Sequence, residues 1–225
     1  MKPSLIAACA LALVAPAVTV TLSAEISEKL KSRIDESTAI LTELHAAPDK
    51  DIPRDLWNRA TCVMVIPSVK KAAFVFGGEY GKGLMSCRKG GAWSAPVFMQ
   101  LQKGSWGLQI GAQSIDLILL VNNERGMKKL LGNKVTLGAE ASVAAGPVGR
   151  DARAATDAQM SAEILSYSRT QGLFAGINLS GGVLKPDGDD NRDVYGRKIT
   201  PSAVLTGDTA PPAATAAFMK ALQRK

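Results

Sequence analysis

Histidine, cysteine and aromatic side chains are scarce in this chain of 225 residues. It has one histidine and three cysteines, and aromatic residues make up 5% of the sequence. A single histidine excludes a zinc site built on several imidazoles and argues against a Ser-His-Asp triad. The serines lie in no Gly-x-Ser-x-Gly elbow, and no Cys-x-x-Cys pair suggests a redox or zinc motif. The composition therefore predicts a globular protein with few residues suited to catalysis, and no metal or cofactor is predicted.

Residues 78–83 (GEYGKG) are rich in glycine and contain a lysine, as a phosphate-binding loop does, but the spacing of these residues does not match that motif. Only two residues separate the first glycine from the Gly-Lys pair, and a glycine follows the lysine where Ser or Thr is needed. We interpret this stretch as a glycine-rich hairpin that displays Lys82.

Asp187, Asp189 and Asn191 match the first three ligand spacings of an EF-hand calcium loop. Lys198 then stands where the bidentate glutamate belongs, which places a cation in the ligand set. The better interpretation is a solvated, aspartate-rich loop, so no metal site is predicted.

Residues 1–24 read as a secretory signal peptide. Lys2 supplies a positive start, and residues 5–14 form an apolar run of the usual length. A lipidated Cys9, or an uncleaved anchor over residues 5–22, remains an alternative. The leader predicts an exported protein of the periplasm or cell envelope.

Export would leave Cys62 and Cys87 as an even pair in an oxidising compartment. Both lie in predicted strands joined by a short connection. Two interpretations stay open: a disulfide between them, or two buried apolar thiols.

The hydrophobic pattern predicts helices at both ends of a β-rich region. Apolar residues recur at helical spacing over 26–44, and Pro53 begins a short helix that reaches about Arg59. From residue 61 to 121 the period changes to two, with glycine-rich turns between short runs, one of which ends at Pro67. Short helices are predicted over residues 124–131 and after Thr200, and a terminal helix follows a Pro/Ala-rich linker. The fold class is α+β: an antiparallel meander, either a sandwich or a partial barrel, with flanking helices.

Positive charge is concentrated in one stretch. Residues 58–105 carry seven bases against Glu79 alone. We expect the following residues to form one exposed basic surface, with Trp106 available for interfacial insertion: Lys70, Lys71, Lys82, Arg88, Lys89 and Lys103. Few aromatic residues and no zinc-finger or RNP-type motif argue against nucleic acid as the partner.

Asp116 is the one acid inside an apolar strand. A buried carboxylate must be paired or hydrogen-bonded. Anchoring of a turn is favoured over catalysis.

Several segments together resemble the SYLF domain, also called the actin-regulator domain of yeast Las17-binding proteins. They are 71–78 (KAAFVFGG), 81–83 (GKG), 93–96 (WSAP), 107–116 (GLQIGAQSID), 146–150 (GPVGR) and 167–176 (YSRTQGLFAG). The predicted organisation is a signal peptide at 1–24, a helical segment at 25–58, a SYLF-like domain at 59–207, and a linker with a C-terminal helix at 208–225.

The resemblance implies a lipid-binding module without enzymatic activity. It implies binding of acidic phospholipids, phosphoinositides in eukaryotic members, and actin binding in some of those members. The basic stretch agrees with an anionic phospholipid or membrane surface as the partner. The alternative is a structural or scaffolding protein of the cell envelope with no specific lipid ligand.

Overall fold

The computed structural model describes residues 26–46, 52–73, 76–106, 113–132, 134–149, 157–170, 172–196, 199–207 and 209–223. The predicted leader at 1–24 and residues 107–111 of the predicted β-rich region lie outside these ranges. The helices are α1 (Glu28–Ala46), α2 (Arg54–Arg59), α3 (Glu124–Leu130), α4 (Asp157–Ser161), α5 (Gly188–Tyr195), α6 (Pro201–Thr206) and α7 (Ala216–Leu222). The strands are β1 (Cys62–Ala73), β2 (Phe76–Lys89), β3 (Ala92–Trp93), β4 (Val97–Trp106), β5 (Gln113–Val121), β6 (Val135–Thr136), β7 (Val143–Ala145), β8 (Ile164–Thr170), β9 (Leu173–Gly176) and β10 (Val183–Pro186).

The strands form one sheet in the order β6-β10-β4-β2-β1-β5-β8-β7, with β3 on β2 and β9 on β8. The pairs are antiparallel apart from β7 with β8. This confirms the predicted α+β class with an antiparallel sheet. It is not a simple meander, because β5 pairs with β1 and not with β4, which precedes it in the chain.

Alternating side chains of the sheet enter two different hydrophobic cores. Cys62, Met64 and Ile66 of β1 pack into a core that α3 and α6 close. Val63 and Val65 pack on the opposite side, where α1, α2 and α7 lie. Burying one large aliphatic side chain contributes roughly 1.5–3 kcal/mol, so both faces stabilise the sheet. The side that α1 covers is called the helix side below.

Pro67 does not end β1, contrary to the prediction. The strand continues to Ala73 through a register shift between Ile66 and Val69, and Pro67 and Ser68 occupy this bulge. A bulge tolerates proline because no ladder hydrogen bond is required of it there.

The predicted glycine hairpin at 78–83 is also wrong, since β2 runs through it in continuous pairing with β4. A Cβ on Gly83 would lie 2.0 Å from the carbonyl oxygen of Val65. The glycine therefore permits close approach of two strands and makes no turn.

The helix boundaries follow local signals where caps are present. Asn123 accepts a hydrogen bond from the backbone N–H of Gly126 at the start of α3, and Thr200 caps α6 in the same way. None of the helices in the described ranges is long and apolar enough to cross a membrane.

Cys62 and Cys87 occupy directly opposed positions on β1 and β2. Their Sγ atoms are joined in a disulfide, with 3.9 Å between the Cα atoms. Both residues are fully buried. Of the two interpretations left open by the sequence, the structure contains the disulfide.

Candidate anion-binding site

A polar stripe on α1 forms one wall of the site. Lys29, Ser32, Arg33 and Glu36 follow the spacing i, i+3, i+4 and i+7, which places them along one side of the helix. The neighbouring side of α1 buries Leu30, Ile34 and Leu41, so the stripe borders the junction between helix and sheet.

The helix side of the sheet forms the opposite wall. Pro67, Ser68 and Lys70 come from β1, and Tyr80, Gly81 and Lys82 come from β2. Together with the α1 stripe they line a cavity of about 320 Å³, which we call the α1 cavity. Its walls carry four basic side chains and one acid, Glu36.

The bulge in β1 shapes the floor of this cavity. Ser68 has a φ of +50°, a left-handed conformation that is unusual for a residue other than glycine. The Asp116 carboxylate accepts the backbone N–H of Ser68 at 2.9 Å and pairs with Arg169 at 2.7 Å. Asp116 is only partly buried, and it anchors the bulge, which is the structural role that the sequence favoured over catalysis.

Two cations of the α1 cavity are also bound from behind by α5. The Arg33 guanidinium contacts the Asp190 carboxylate, and the Lys82 ammonium contacts both Asp187 and Asp190, the latter at 3.3 Å. The side chains of Arg33 and Lys82 are only 8% and 22% exposed. These four groups form a buried charge cluster that joins α1, β2 and α5.

The predicted solvated aspartate loop is therefore wrong. Asp187 is 2% exposed and caps α5 by accepting the backbone N–H of Asp190. The amide of Asn191 accepts the backbone N–H of Phe98 and donates to its carbonyl oxygen, which fixes α5 against β4. These side chains face the protein because α5 packs on the sheet.

The two aspartates have different ionisation behaviour. Burial raises the pKa of Asp187, and the adjacent Asp190 carboxylate raises it further against the opposing effect of Lys82. Burial alone would also raise the pKa of Asp190, but its hydrogen bond with Asp187 and the charges of Arg33 and Lys82 hold it below the ordinary value. For Lys82, the two carboxylates outweigh burial and raise the pKa.

The structure does not bring the six predicted basic residues onto one surface. Lys70 and Lys82 line the α1 cavity. Residues two apart on a strand lie on the same side of the sheet. Lys103 therefore shares the side of Leu101, which packs into the core that α3 and α6 close, whereas Lys82 shares the side of Leu84, which packs on the helix side. Lys103 and Lys82 thus lie on opposite sides of the sheet. Among the predicted residues whose side chains are described, only Lys70 and Lys82 therefore share a site.

The other predicted residues are distributed along the strands. The Arg88 guanidinium stacks on Trp93 at 4.2 Å and donates to the carbonyl oxygens of Ala60 and Trp57. Lys89 lies at the turn before Gly90. Lys71 and Trp106 lie in β1 and β4, where only their backbone is described.

Sequence reasoning missed Lys29 and Arg33 because residues 25–57 carry more acids than bases. The i, i+3, i+4, i+7 spacing of polar residues on α1 was the available signal. It identifies a common helix side, but only the tertiary fold places Lys70 and Lys82 opposite.

Comparison with known proteins gives a consistent family. Residues 102–225 match the Ysc84 family, described as "Las17-binding protein actin regulator". An SH3 domain-containing protein of Schizosaccharomyces pombe is 40% identical over 167 residues, covering 72% of this chain and 39% of that protein. LAS seventeen-binding protein 3 of Saccharomyces cerevisiae is 32% identical over 209 residues, covering 89% and 45%.

The human SH3 domain-containing YSC84-like protein 1 is 33% identical over 195 residues, covering 84% of this chain and 57% of that protein. The chain thus spans about two fifths to three fifths of the length of these relatives. Because the family match covers more than half of the chain, this protein belongs to the Ysc84 family, which is the SYLF-domain family of Las17-binding actin regulators.

Proposed function

We propose that this protein is a non-enzymatic module that binds anionic phospholipid headgroups in the α1 cavity. The observation that carries the proposal is the convergence of four basic side chains from three elements: Lys29 and Arg33 of α1, Lys70 of β1 and Lys82 of β2. Cationic side chains that converge in a concave site attract phosphate more strongly than the same charges spread over a surface.

The mouth and interior of the α1 cavity have different properties. Lys29 and Lys70 are exposed, whereas Arg33 is buried and Lys82 is largely covered. Exposed lysines near an anionic surface contribute about 1 kcal/mol each to membrane attraction. The ring of Tyr80 lines the same cavity and is 43% exposed, which leaves an amphipathic side chain available at a membrane interface.

The Cys62–Cys87 disulfide supports an oxidising compartment for the folded protein. This agrees with the export that the leader predicts. The ligand we propose is accordingly a phospholipid of the cell envelope with a net negative headgroup, such as phosphatidylglycerol.

Co-sedimentation with vesicles tests the proposal. The wild type should bind vesicles of phosphatidylglycerol and phosphatidylcholine and should leave pure phosphatidylcholine vesicles unbound. Lys29→Glu combined with Lys70→Glu should weaken binding at least about 30-fold, because two favourable charges become repulsive. Raising the salt from 0.1 M to 1 M shortens the Debye length from about 10 Å to about 3 Å and should also release the protein.

The matched control is Lys89→Glu combined with Lys220→Glu, two exposed lysines outside the cavity with the same change in net charge. This variant should lose much less affinity than the cavity variant. Equal losses in both would show that net charge alone drives binding and would overturn the cavity as the site. If the wild type bound no anionic vesicle, the second candidate would replace the first: a scaffolding protein of the envelope with protein partners, for which the Las17-binding description of the family is the supporting observation.

A further inference from the structure

Two cations of the α1 cavity have a second set of partners within the protein. Arg33 and Lys82 line the cavity, and the same two side chains contact the carboxylates of Asp187 and Asp190. A phosphate that enters the cavity must therefore compete with these carboxylates for the same N–H donors. This competition links ligand binding to the protonation of the aspartates.

We propose that Asp187 and Asp190 regulate the α1 cavity as a proton-operated pair, such that uptake of one proton strengthens the binding of an anionic headgroup. The proposal rests on the proposed function and adds its regulation. Protonation removes one carboxylate charge from Lys82, and the charge of Lys82 then acts on the cavity.

The local charge count shows why one proton matters. The cavity walls carry four bases and Glu36, and the two aspartates behind them bring the acids to three, which leaves a net charge of +1. One bound proton raises this to +2, whereas a phosphodiester keeps its single negative charge over the same pH range. The electrostatic attraction therefore grows as the pH falls.

The other charged groups around the pair lie on α1, β10 and α5. On α1 the groups are Lys29, Arg33 and Glu36, and Glu36 lies near the Ser68 hydroxyl at 3.4 Å. Lys185 of β10 is in register with Gln100, which is in register with Lys82, so a further base lies in this row. On α5, Asp189 and Arg192 pair with each other at the exposed surface.

The surroundings of the pair favour proton uptake. Asp187 is 2% exposed, and a second carboxylate lies one helical turn away. Burial and the neighbouring charge both raise the pKa of Asp187. Since two adjacent carboxylates titrate as a unit, the first proton belongs to the pair. The single histidine of the chain, His45, contacts the carbonyl oxygen of Ala221 and the ring of Trp57, and it does not line the cavity.

Vesicle binding as a function of pH is the direct test. The dissociation constant of the wild type for vesicles of phosphatidylglycerol and phosphatidylcholine should fall about five-fold between pH 7.5 and pH 4.5, the effect of one added charge near an anionic surface. Asp187→Asn should bind at pH 7.5 as tightly as the wild type binds at pH 4.5, and its affinity should change little with pH. Asparagine retains the oxygen that caps α5.

Asp189→Asn is the matched control, because this aspartate lies on the same helix and its side chain is 80% exposed. It should keep the pH dependence of the wild type. A pH dependence that persists unchanged in Asp187→Asn would overturn the regulation while leaving the lipid site in place. Absence of wild-type binding at every pH would instead overturn the proposed function itself.

A measurement on the wild type alone covers the case in which Asp187→Asn fails to fold. Binding and protonation are reciprocally linked, so anionic vesicles must raise the proton affinity of the pair. Calorimetric titration of the protein with these vesicles near pH 5, in two buffers of different ionisation enthalpy, should show net uptake of a fraction of a proton. Zero uptake, or proton release, would contradict the proposal.

Discussion

Two carboxylate clusters in this protein, one at Glu163 and one at Asp187 and Asp190, consist of similar residues but have different roles. Glu163, at the start of β8, is 6% exposed and accepts hydrogen bonds from Lys129 at 2.8 and 2.9 Å and from the backbone N–H of Ser142 at 3.0 Å. It joins α3 to β8 and to the segment before β7. The Asp187–Asp190 pair is likewise bound to cations, but Arg33 and Lys82 also face the α1 cavity.

The surroundings decide which cluster is purely structural. Burial would raise the pKa of Glu163, but Lys129 and the Ser142 N–H outweigh it and lower the pKa. At Asp187, burial and the adjacent Asp190 carboxylate raise the pKa against the opposing effect of Lys82. A cleft of about 660 Å³ is lined by Glu124, Glu140 and Glu163 against Arg125 and Lys129, so it has an excess of negative charge and does not attract an anion. A carboxylate whose neighbours favour its charged form holds elements together, whereas a pair in which one carboxylate raises the pKa of the other can respond to pH.

Removing the Glu163 carboxylate should have the largest effect on stability. Glu163→Ala leaves the Ser142 N–H and the Lys129 ammonium without their acceptor, so the free energy of unfolding should fall by about 2–4 kcal/mol. Urea denaturation followed by circular dichroism measures this loss. Glu124→Ala is the control, since Glu124 pairs with Lys128 in an exposed i, i+4 arrangement, and it should change stability by less than about 0.5 kcal/mol. Similar losses in the two variants would show that Glu163 is not the connection we describe.

Replacing each carboxylate by its neutral amide should change the free energy of unfolding less, and it compares the two clusters directly. Glu163→Gln should cost about 1–2 kcal/mol, because a charge-assisted acceptor becomes a neutral one. Asp187→Asn should cost less than about 1 kcal/mol, because it relieves repulsion from Asp190 while the cap oxygen remains. The same urea series at neutral pH measures both. If Asp187→Asn proved the more destabilising change, the distinction between the two clusters would be wrong.

The change of these stability differences with pH should be the smallest effect, and its sign should be opposite for Glu163→Gln and Asp187→Asn. The folded pKa of Glu163 is lowered, so its stabilisation is present above its ordinary value of 4.5 and is lost as the pH falls below it. The stability advantage of the wild type over Glu163→Gln should therefore shrink in acid. The folded pKa of Asp187 is raised, so the wild type should gain stability relative to Asp187→Asn as the pH falls through that raised value. Denaturation midpoints of the three proteins between pH 3.5 and pH 7 test the signs, and trends of the same sign would contradict the assignment.

Local sequence signals predicted the elements that local interactions specify. The cap at Asn123 marks the start of α3, and the period-two pattern identifies the strands before Val121. Glycine was the least reliable signal, because residues 78–83 lie in a continuous strand. A glycine that allows a neighbouring backbone to approach cannot be distinguished from a turn glycine without knowing which strands pair.

The sequence identified only two of the four basic residues of the candidate site. Lys70 and Lys82 belonged to the predicted basic set, but Lys103 lies across the sheet and Arg88 is bound to Trp93. Charge counting gives the density of lysine along the chain. It does not give the side of a strand on which each lysine lies when a bulge such as that at Pro67 shifts the alternation.

By itself, the sequence determined the α+β class and the helical spacing of apolar and polar residues on α1, since these depend on periodicity, caps and composition over short spans. The tertiary structure alone decided the strand order, the bulge at Ser68 and the charge cluster behind the α1 cavity. Lys82 is 108 residues from Asp190, and Arg33 is 157 residues from it. Contacts over such separations arise only when the whole sheet is paired and α5 is packed on it, because no local propensity encodes them.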